Sequence, residues 1–537
     1  MVTDISITLR VEEEKAENKD ALIEKKALRA LFDKGIKAKA GELSLVFVKK
    51  SIDARHGKTK IVLRYRAYIG ESPEEANKTP EWKMAGEKSA IIIGSGPAGL
   101  FAAFRLLEDG VRPIIIERGS ETSKRKRDIA KISTSGEVGA DSNYCFGEGG
   151  AGTFSDGKLY TRSNKRGDIS KILRIFAHFG ADEKILTDAH PHIGTDKLPS
   201  IVNAMRQSII EHGGEVHFGQ RCVDFVFSDE KAKKVCGVKT LETESGREKE
   251  YRADAVILAT GHSAFDIYEL LARTAPEALE AKTFAVGVRA EHPRALIDAI
   301  QFHGKTDGLP AAEYRLVTQV EERGVYSFCM CPGGFVVPSS TDSDEIVVNG
   351  MSSAKRNSKW SNAAIVVETR PEDIPSSFVE MARKSGCEAL SGLYWRKSLE
   401  RLAKENGDGQ KAPAQRLVDF LKGRESVTLP PSSYTAGLVP SRLDLWLPMQ
   451  IKERLEKAFF DFNKQMKGYI SEDALLIAIE TRTSTPVRIR RDKESGECVA
   501  LKNLYPAGEG SGYSGGIVSS AMDGEKSAEK LIRAILG

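Results

Sequence analysis

Three short stretches of this 537-residue chain fit the pattern G-x-G-x-x-G: GSGPAG at Gly94 to Gly99, GEGGAG at Gly147 to Gly152, and GSGYSG at Gly510 to Gly515. The chemistry this spacing serves is the approach of backbone N–H groups to a phosphate. Only the first stretch has the full context: the apolar run SAIII before it, a helical pattern after it, and the acidic Glu117 at the end of the next apolar run. Gly94 permits the tight turn, Gly96 leaves the backbone open to a pyrophosphate, and Gly99 lets the helix lie close on the strand. Pro97 suits the first helical position, where its missing N–H costs nothing, and the helix N-terminus favours an anion. Glu117 can accept hydrogen bonds from both hydroxyls of an adenosine ribose and would repel a 2′-phosphate, so FAD or NAD is expected before NADP. The second stretch has no strand before it and TFSDGK, a turn-like sequence, after it; the third precedes a helix but follows PAGE near the end of the chain.

Other residues offer chemistry with competing structural explanations. Cys329 and Cys331 in FCMCPGG would share a face on a strand and could relay electrons, but a Cys-x-Cys disulfide is strained. His190 and His192 in HPHIG lack a cysteine or carboxylate cluster at metal spacing and read as a surface turn, so no metal is expected. Arg289 in GVRAEHP and Arg482 in ETRTSTP could hold a carboxylate or phosphate of an anionic small-molecule substrate, with His292 as proton donor. Their rivals are Glu291 and Glu480, each two residues from its arginine and on the same face of a strand.

The elements that must position these residues follow from periodicity. Residues 1–85 read strand, helix, strand, strand, a small basic α+β domain followed by a polar, proline-containing linker. Ser89 to Gly119 is a βαβ unit with Leu100, Ala103, Phe104 and Leu107 as the buried helical stripe. Residues 86–264 and 487–537 are expected to form one Rossmann-type unit, and residues 265–486, with mixed strands and helices, an inserted α+β substrate domain. The fold class is therefore α/β with a second, mixed domain and a small one in front. The net charge of +4, from 80 Lys and Arg against 76 Asp and Glu, falls nearly all before Ala85 and argues against nucleic-acid binding driven by bulk charge. RNA stays open as a partner of the basic front domain alone. The N-terminus has no secretion-signal pattern, no stretch reaches membrane-spanning length, and seven scattered cysteines suit reduced thiols, so a cytoplasmic protein is expected.

IIIGSGPAGLFAAFRLLEDGVRPIIIERG resembles the FAD-binding start of the glutathione-reductase-like flavoproteins. YRADAVILATGHS resembles that superfamily's second motif and NLYPAGEGSGYSGGIVSSAMDG its C-terminal motif, with Glu509 where an aspartate is usual. FGEGGAGTFSDGKL, FAVGVRAEHP, YSFCMCPGG, VVNGMS, GDGQKAPAQRLVDFL and ETRTSTPVRI further resemble one branch, the FAD-dependent dehydrogenases of bacteria and plastids. The name of that branch rests on its flavin and leaves the substrate open.

The resemblance implies FAD as cofactor and an oxidoreductase activity. It implies that Ala259, Thr260 and Gly261 lie beside the FAD, that Glu509 meets the ribityl chain with Gly508 also in the cofactor set, and that Gly516 and Ile517 open a helix aimed at the flavin pyrimidine. Ala98, Arg118, Gly119, Arg127 and Val223 complete the expected cofactor set. The loop holding Gly147, Gly149, Gly150, Ala151, Gly152, Thr153, Ser155, Asp156 and Lys158 is expected to lie along the cofactor; the alternative is a glycine hinge that only routes the chain. No second βαβ fingerprint is visible, so NADH or NADPH would bind transiently at the flavin or be absent as donor. A flavin-dependent RNA-modifying enzyme and a non-catalytic flavin sensor are the rival functions.

Overall fold

In a computed structural model the residues described are 1–55, 59–73, 79–161, 167–304 and 306–537; the middles of the basic run before Lys60 and of the polar linker lie outside them. The chain opens with β1 (Val2–Arg10), α1 (Lys19–Asp33), β2 (Leu43–Asp53) and β3 (Lys60–Ile69). The strands form an antiparallel sheet in the order β1-β3-β2. Alternation puts Ile5, Ile7, Leu9, Ile61 and Leu63 on one face, where they bury Ile23, Ala27 and Leu31 of α1. Its arginines are largely paired in place: Arg64 and Arg66 share Asp4 at 2.6 and 3.0 Å, and Arg55 meets Asp53 at 2.8 Å. This unit leans on the rest of the chain through Lys50, whose N–H donates to the Thr187 carbonyl and whose carbonyl accepts from the Ala189 N–H, both at 2.9 Å.

The expected boundary at residue 85 is too late. Trp82 stacks on Phe179 at 5.4 Å and packs on Phe104 at 4.5 Å. The Lys83 and Ala85 N–H groups donate to the carbonyls of Leu107 and His212. The linker's last residues thus belong to the second unit, because an indole half-buried on two phenylalanines is worth more there than in solvent.

That second unit is a five-stranded parallel sheet of β4 (Ser89–Ile93), β5 (Arg112–Ile116), β6 (Glu215–His217), β7 (Ala255–Leu258) and the late strand β15 (Leu504–Pro506), ordered β15-β7-β4-β5-β6. Its central strands are runs of isoleucine buried on both faces, as a covered parallel sheet requires. Helix α2 (Pro97–Glu108) is buried all round and not along one stripe: Phe101, Ala102 and Leu106 are covered as well. The extra cover includes Phe176, whose ring meets Phe101 at 5.1 Å, and α5 (Ile517–Leu536), so closely packed that a Cβ on Gly524 would stand 2.0 Å from the Ala98 carbonyl. Helix α3 (Thr122–Thr134) follows β5.

The inserted sheet comprises β8 (Phe284–Pro293), β9 (Val317–Val320), β10 (Arg323–Cys331), β11 (Trp360–Thr369), β12 (Ala412–Arg416), β13 (Leu438–Pro440) and β14 (Leu475–Glu480), in the order β9-β10-β11-β8-β14-β12-β13. It starts later than residue 265. The helix Phe265–Thr274 packs with Ile91, Ile93, Ile114 and Ile116 of the parallel sheet, and Leu279–Ala281 pairs with Val487–Ile489. Helix α4 (Ser391–Glu405) covers the inserted sheet next to the parallel-sheet unit, where Leu390 and Leu393 join the core around Ile91. Among the described residues no helix is long and apolar enough to cross a membrane.

Two measurements check these boundaries. Removing residues 1–71 leaves a chain that still unfolds in one transition within a few degrees of the parent. Trp82→Ala in the full chain lowers stability by roughly 2 kcal/mol, below the 3 to 5 of a fully buried aromatic because the ring is half-exposed.

Candidate cofactor and active site

The turn after β4 is built by close contact. A Cβ on Gly99 would stand 2.0 Å from the Gly94 carbonyl, and one on Gly94 would stand 2.8 Å from the Ala259 carbonyl, so both glycines are demanded by packing within the protein. Gly96 differs: a Cβ there would meet nothing nearer than Gly150 Cα at 3.9 Å. Its openness serves whatever enters the cavity beside it. Gly96 caps α2 with no side-chain hydrogen bond and no acidic residue in the first turn, which leaves the N-terminal N–H groups to an anion.

Glu117 is buried at the end of β5, and its carboxylate accepts four hydrogen bonds from the protein. Oε2 takes the Ser95 N–H and hydroxyl at 3.0 and 2.7 Å; Oε1 takes the N–H groups of Gly119 and Gly147 at 2.9 and 3.0 Å. This fills about the four lone-pair sites a carboxylate has. Glu117 lies on the cavity wall, but what the structure shows it doing is joining the phosphate turn to the loop at Gly147.

That loop is held from behind by Arg125, a residue without a signal in the glycine pattern. Its guanidinium is fully buried and donates to the carbonyls of Asn143, Tyr144 and Glu148 at 2.9, 3.0 and 2.7 Å. Burial pulls its pKa down to about 10, opposed by Glu117 and neighbouring groups. The spacing Arg125, Ile129, Ile132 marks the buried face of α3, whereas Arg127 points to solvent and leaves the expected cofactor set. The loop divides in two. Gly147 and Gly149 press on Arg125 and on Thr153 and Val202, while Gly150, Ala151, Gly152 and Ser155 line the cavity. Thr153 donates to the Glu148 carbonyl, Asp156 pairs with Arg356 at 2.6 Å, and Lys158 donates to the Met330 carbonyl, so these three are structural. Burial raises the Asp156 carboxyl, but Lys158 and Arg356 outweigh it and hold the pKa low.

One cavity of about 230 Å³ collects the remaining walls. Ala259, Thr260 and Gly261 line it after β7; Glu509, Gly516 and Ile517 line it from the other end of the chain. The N-terminus of α5, like that of α2, has neither a side-chain cap nor a first-turn acid. Two helix N-termini thus open on the same space, and both suit negative groups of a dinucleotide. Arg118 is on the wall, held by Asp141 and Asp266 and stacked over Phe146 at 4.2 Å. Gly119 and Gly508 stand behind it, packed on Gly147 and Ala98, and Val223 is a half-buried strand residue off the wall. Gln220, Arg221 and Cys222 take its place at the cavity edge. Among the described residues the ion partner of the Glu509 carboxylate is His262 Nδ1, at 3.6 Å, a distance that leaves its oxygens able to accept from a ligand. These residues fit FAD.

The inserted domain closes the cavity with Phe328, Cys329, Asn349, Glu480, Arg482 and Thr483. Arg289 is behind this wall, fully buried, donating to Glu480 at 2.8 Å, Asn362 at 2.7 Å and the Cys329 carbonyl at 2.7 Å. Arg482 reaches the wall but donates to Glu400 and Glu345 at 2.7 and 2.9 Å. Both expected same-strand pairs are replaced: Glu480 partners Arg289 across β8 and β14, and Glu291 instead accepts from Ser432 and Ser433. Burial raises the Glu480 carboxyl, with Arg289 opposing. His292 is not at the cavity. It is buried against Tyr469 with Nε2 on the Tyr469 carbonyl at 2.9 Å, and burial brings its pKa down to about 4. Cys329 and Cys331 do not share a face either. The ladder shifts register between Phe328 and Cys331, and Cys329 takes φ 41°, so Cys329 opens to the cavity while Cys331 turns to Arg289.

Two family descriptions match: pyridine nucleotide-disulphide oxidoreductase over residues 88–285, and FAD-dependent protein, C-terminal domain-like, over residues 283–483. An uncharacterized protein of Clostridium beijerinckii is 41% identical over 449 residues, covering 82% of this chain and 80% of the relative. Among solved structures, the glycerol-3-phosphate dehydrogenase of Bacillus halodurans complexed with FAD matches at 8% identity and TM-score 0.37, covering 84% of this chain and 66% of that one. A flavoprotein/dehydrogenase of Cytophaga hutchinsonii matches at 9% identity and TM-score 0.35, covering 84% and 79%. At such scores the solved structures carry no weight for function.

The two glycines of the turn give contrasting variants. Gly96→Val folds with near-parental stability but purifies colourless, because its side chain enters the open space beside Gly150. Gly99→Val fails to fold, since its Cβ meets the Gly94 carbonyl. Circular dichroism and the flavin absorption band read both outcomes; a yellow Gly96→Val protein would remove Gly96 from the cofactor site.

Proposed function

The chain belongs to the FAD-dependent dehydrogenase family of the glutathione-reductase-like flavoproteins and is an FAD-dependent oxidoreductase, and from that premise we propose that it oxidises or reduces a small molecule where the inserted sheet meets the cofactor cavity. The observation that carries this reading is a cavity lined by both units, with two uncapped helix N-termini from the parallel-sheet unit and the polar wall of Asn349, Glu480, Arg482 and Thr483 from the insert. FAD supplies the two-electron chemistry when bound. The chain's own residues hold it, orient the substrate and keep bulk water out.

The anionic substrate expected from Arg289 and Arg482 has weaker support than a neutral polar one. Each guanidinium is already neutralised by buried carboxylates, and Arg289 is behind the wall. An anion at Arg482 would have to compete with Glu345 and Glu400. Asn349, whose Oδ1 accepts from Arg289 and the Gly350 N–H, keeps its amide N–H groups for a neutral ligand, and the Thr483 hydroxyl, which donates to the Ala285 carbonyl at 3.4 Å, can still accept. For the electron donor, NADH or NADPH would use the same cavity, because among the described residues one parallel sheet only has the βαβ arrangement. RNA modification draws no support from the front domain, whose Arg64 and Arg66 are spent on Asp4.

Anaerobic addition of NADH and NADPH to the purified yellow protein tests this reading. Loss of the oxidised-flavin band with either donor is the expected result; persistence with both, and with chemical reductants, would favour a sensor. Arg482→Met separates structure from substrate binding: it removes the nearest cation from buried Glu345 and Glu400, which keep Lys397 at 3.4 Å and Arg396 at 3.6 Å, and costs about 3 kcal/mol of stability, measured by denaturant titration.

A further inference from the structure

His262 follows Thr260 and Gly261 beyond the end of β7, at the carboxyl edge of the parallel sheet where ligands of such folds bind. It is 8% exposed, and it lies on the cavity wall. Its two ring nitrogens are treated differently. Nδ1 faces the Glu509 carboxylate at 3.6 Å. Nε2 is shielded from solvent and has no hydrogen-bond partner. Its backbone carbonyl accepts from Arg396 Nη2 at 3.3 Å, which anchors the main chain and leaves the imidazole to face the cavity. A buried ring nitrogen without a partner is costly in a folded protein, and such groups are usually answered by a ligand or water.

We propose that His262 is a direct contact of the bound FAD, with Nε2 accepting a hydrogen bond from a ribityl hydroxyl. Two carboxylates face the ring, Glu509 at 3.6 Å from Nδ1 and Glu480 farther than ion-pair distance; the nearer one favours the tautomer that carries its proton on Nδ1, and this makes Nε2 an acceptor. An acceptor excludes phosphate oxygens and ring carbonyls as partners and selects an O–H or N–H group. The Glu509 carboxylate beside it is also an acceptor with free oxygens, so the two side chains form a bracket suited to a polyol. This inference rests on FAD being the cofactor; wild-type protein that fails to bind FAD would overturn that premise separately.

The test uses the full chain freed of flavin and reconstituted with FAD, followed by quenching of flavin fluorescence. His262→Leu keeps the bulk and removes the acceptor; it weakens FAD binding about tenfold, the size of one well-placed hydrogen bond. His262→Gln, which retains an acceptor, stays within about threefold of the parent. An FAD analogue lacking the contacted ribityl hydroxyl binds the parent and His262→Leu equally, and this loss of coupling is what a wall residue would not produce. In the parent protein the ¹⁵N resonance of His262 Nε2, assigned by its absence in His262→Gln, moves on adding FAD. Unchanged FAD affinity in His262→Leu, or an unmoved Nε2 resonance in FAD-saturated parent protein, overturns the proposal; the resonance decides should the leucine variant not fold.

Discussion

The cavity depends first on one buried carboxylate. Glu117 gathers three backbone N–H groups and one hydroxyl from the phosphate turn, from the end of its own strand and from the loop at Gly147. None of these segments is regular structure, and each would otherwise leave donors buried without partners. A charged acceptor makes such bonds stronger than a neutral one would, so it can hold three loops with a single side chain. Arg125 performs the converse task from the other side, donating three hydrogen bonds to carbonyls in the same loop. The glycine loop is thus clamped between an anion that binds its N–H groups and a cation that binds its C=O groups.

Rigidity on this side leaves the other side free to be chemical. Because Gly147 and Gly149 are spent on contacts with Arg125, Thr153 and Val202, the next residues, Gly150 to Gly152, are presented to the cavity at a fixed distance from Gly96. Packing of α5 on α2 through Gly524 and Ala98 brings a helix from the end of the chain against one from its first third. The insert contributes a wall whose charges are closed among themselves. Buried arginine–glutamate pairs add little net stability, yet breaking one is costly, so they act as fixed struts behind Cys329, Asn349 and Thr483.

Much of the parallel-sheet unit was readable in the linear sequence because its determinants are local. Strand, turn, helix and second strand occupy Ser89 to Ile116 without interruption, and Gly99 meets the Gly94 carbonyl within that span, whereas the demand on Gly94 comes from Ala259, far along the chain. The covered face of α3 was also encoded in the spacing of Arg125, Ile129 and Ile132, although the basic run around it disguises the signal. His262 had only its place after Ala-Thr-Gly to distinguish it.

The fold class, the phosphate turn, the FAD resemblance and the open caps of two helices can thus be read along the linear chain, because each is a property of short contiguous segments. Tertiary structure alone decided which charges meet. The rule that residues two apart share a strand face pairs Arg289 with Glu291 and Arg482 with Glu480, but β8 and β14 lie side by side with a register shift between Gly287 and Arg289. Glu480 then stands opposite Gly287, whose missing side chain leaves room, and Arg289 reaches it across the ladder. Arg482 passes to Glu400 on α4, 82 residues away in the chain. Ion pairs form between whichever groups packing brings within a few ångströms, and that proximity is a property of the assembled sheet and helix, written in no single stretch of sequence.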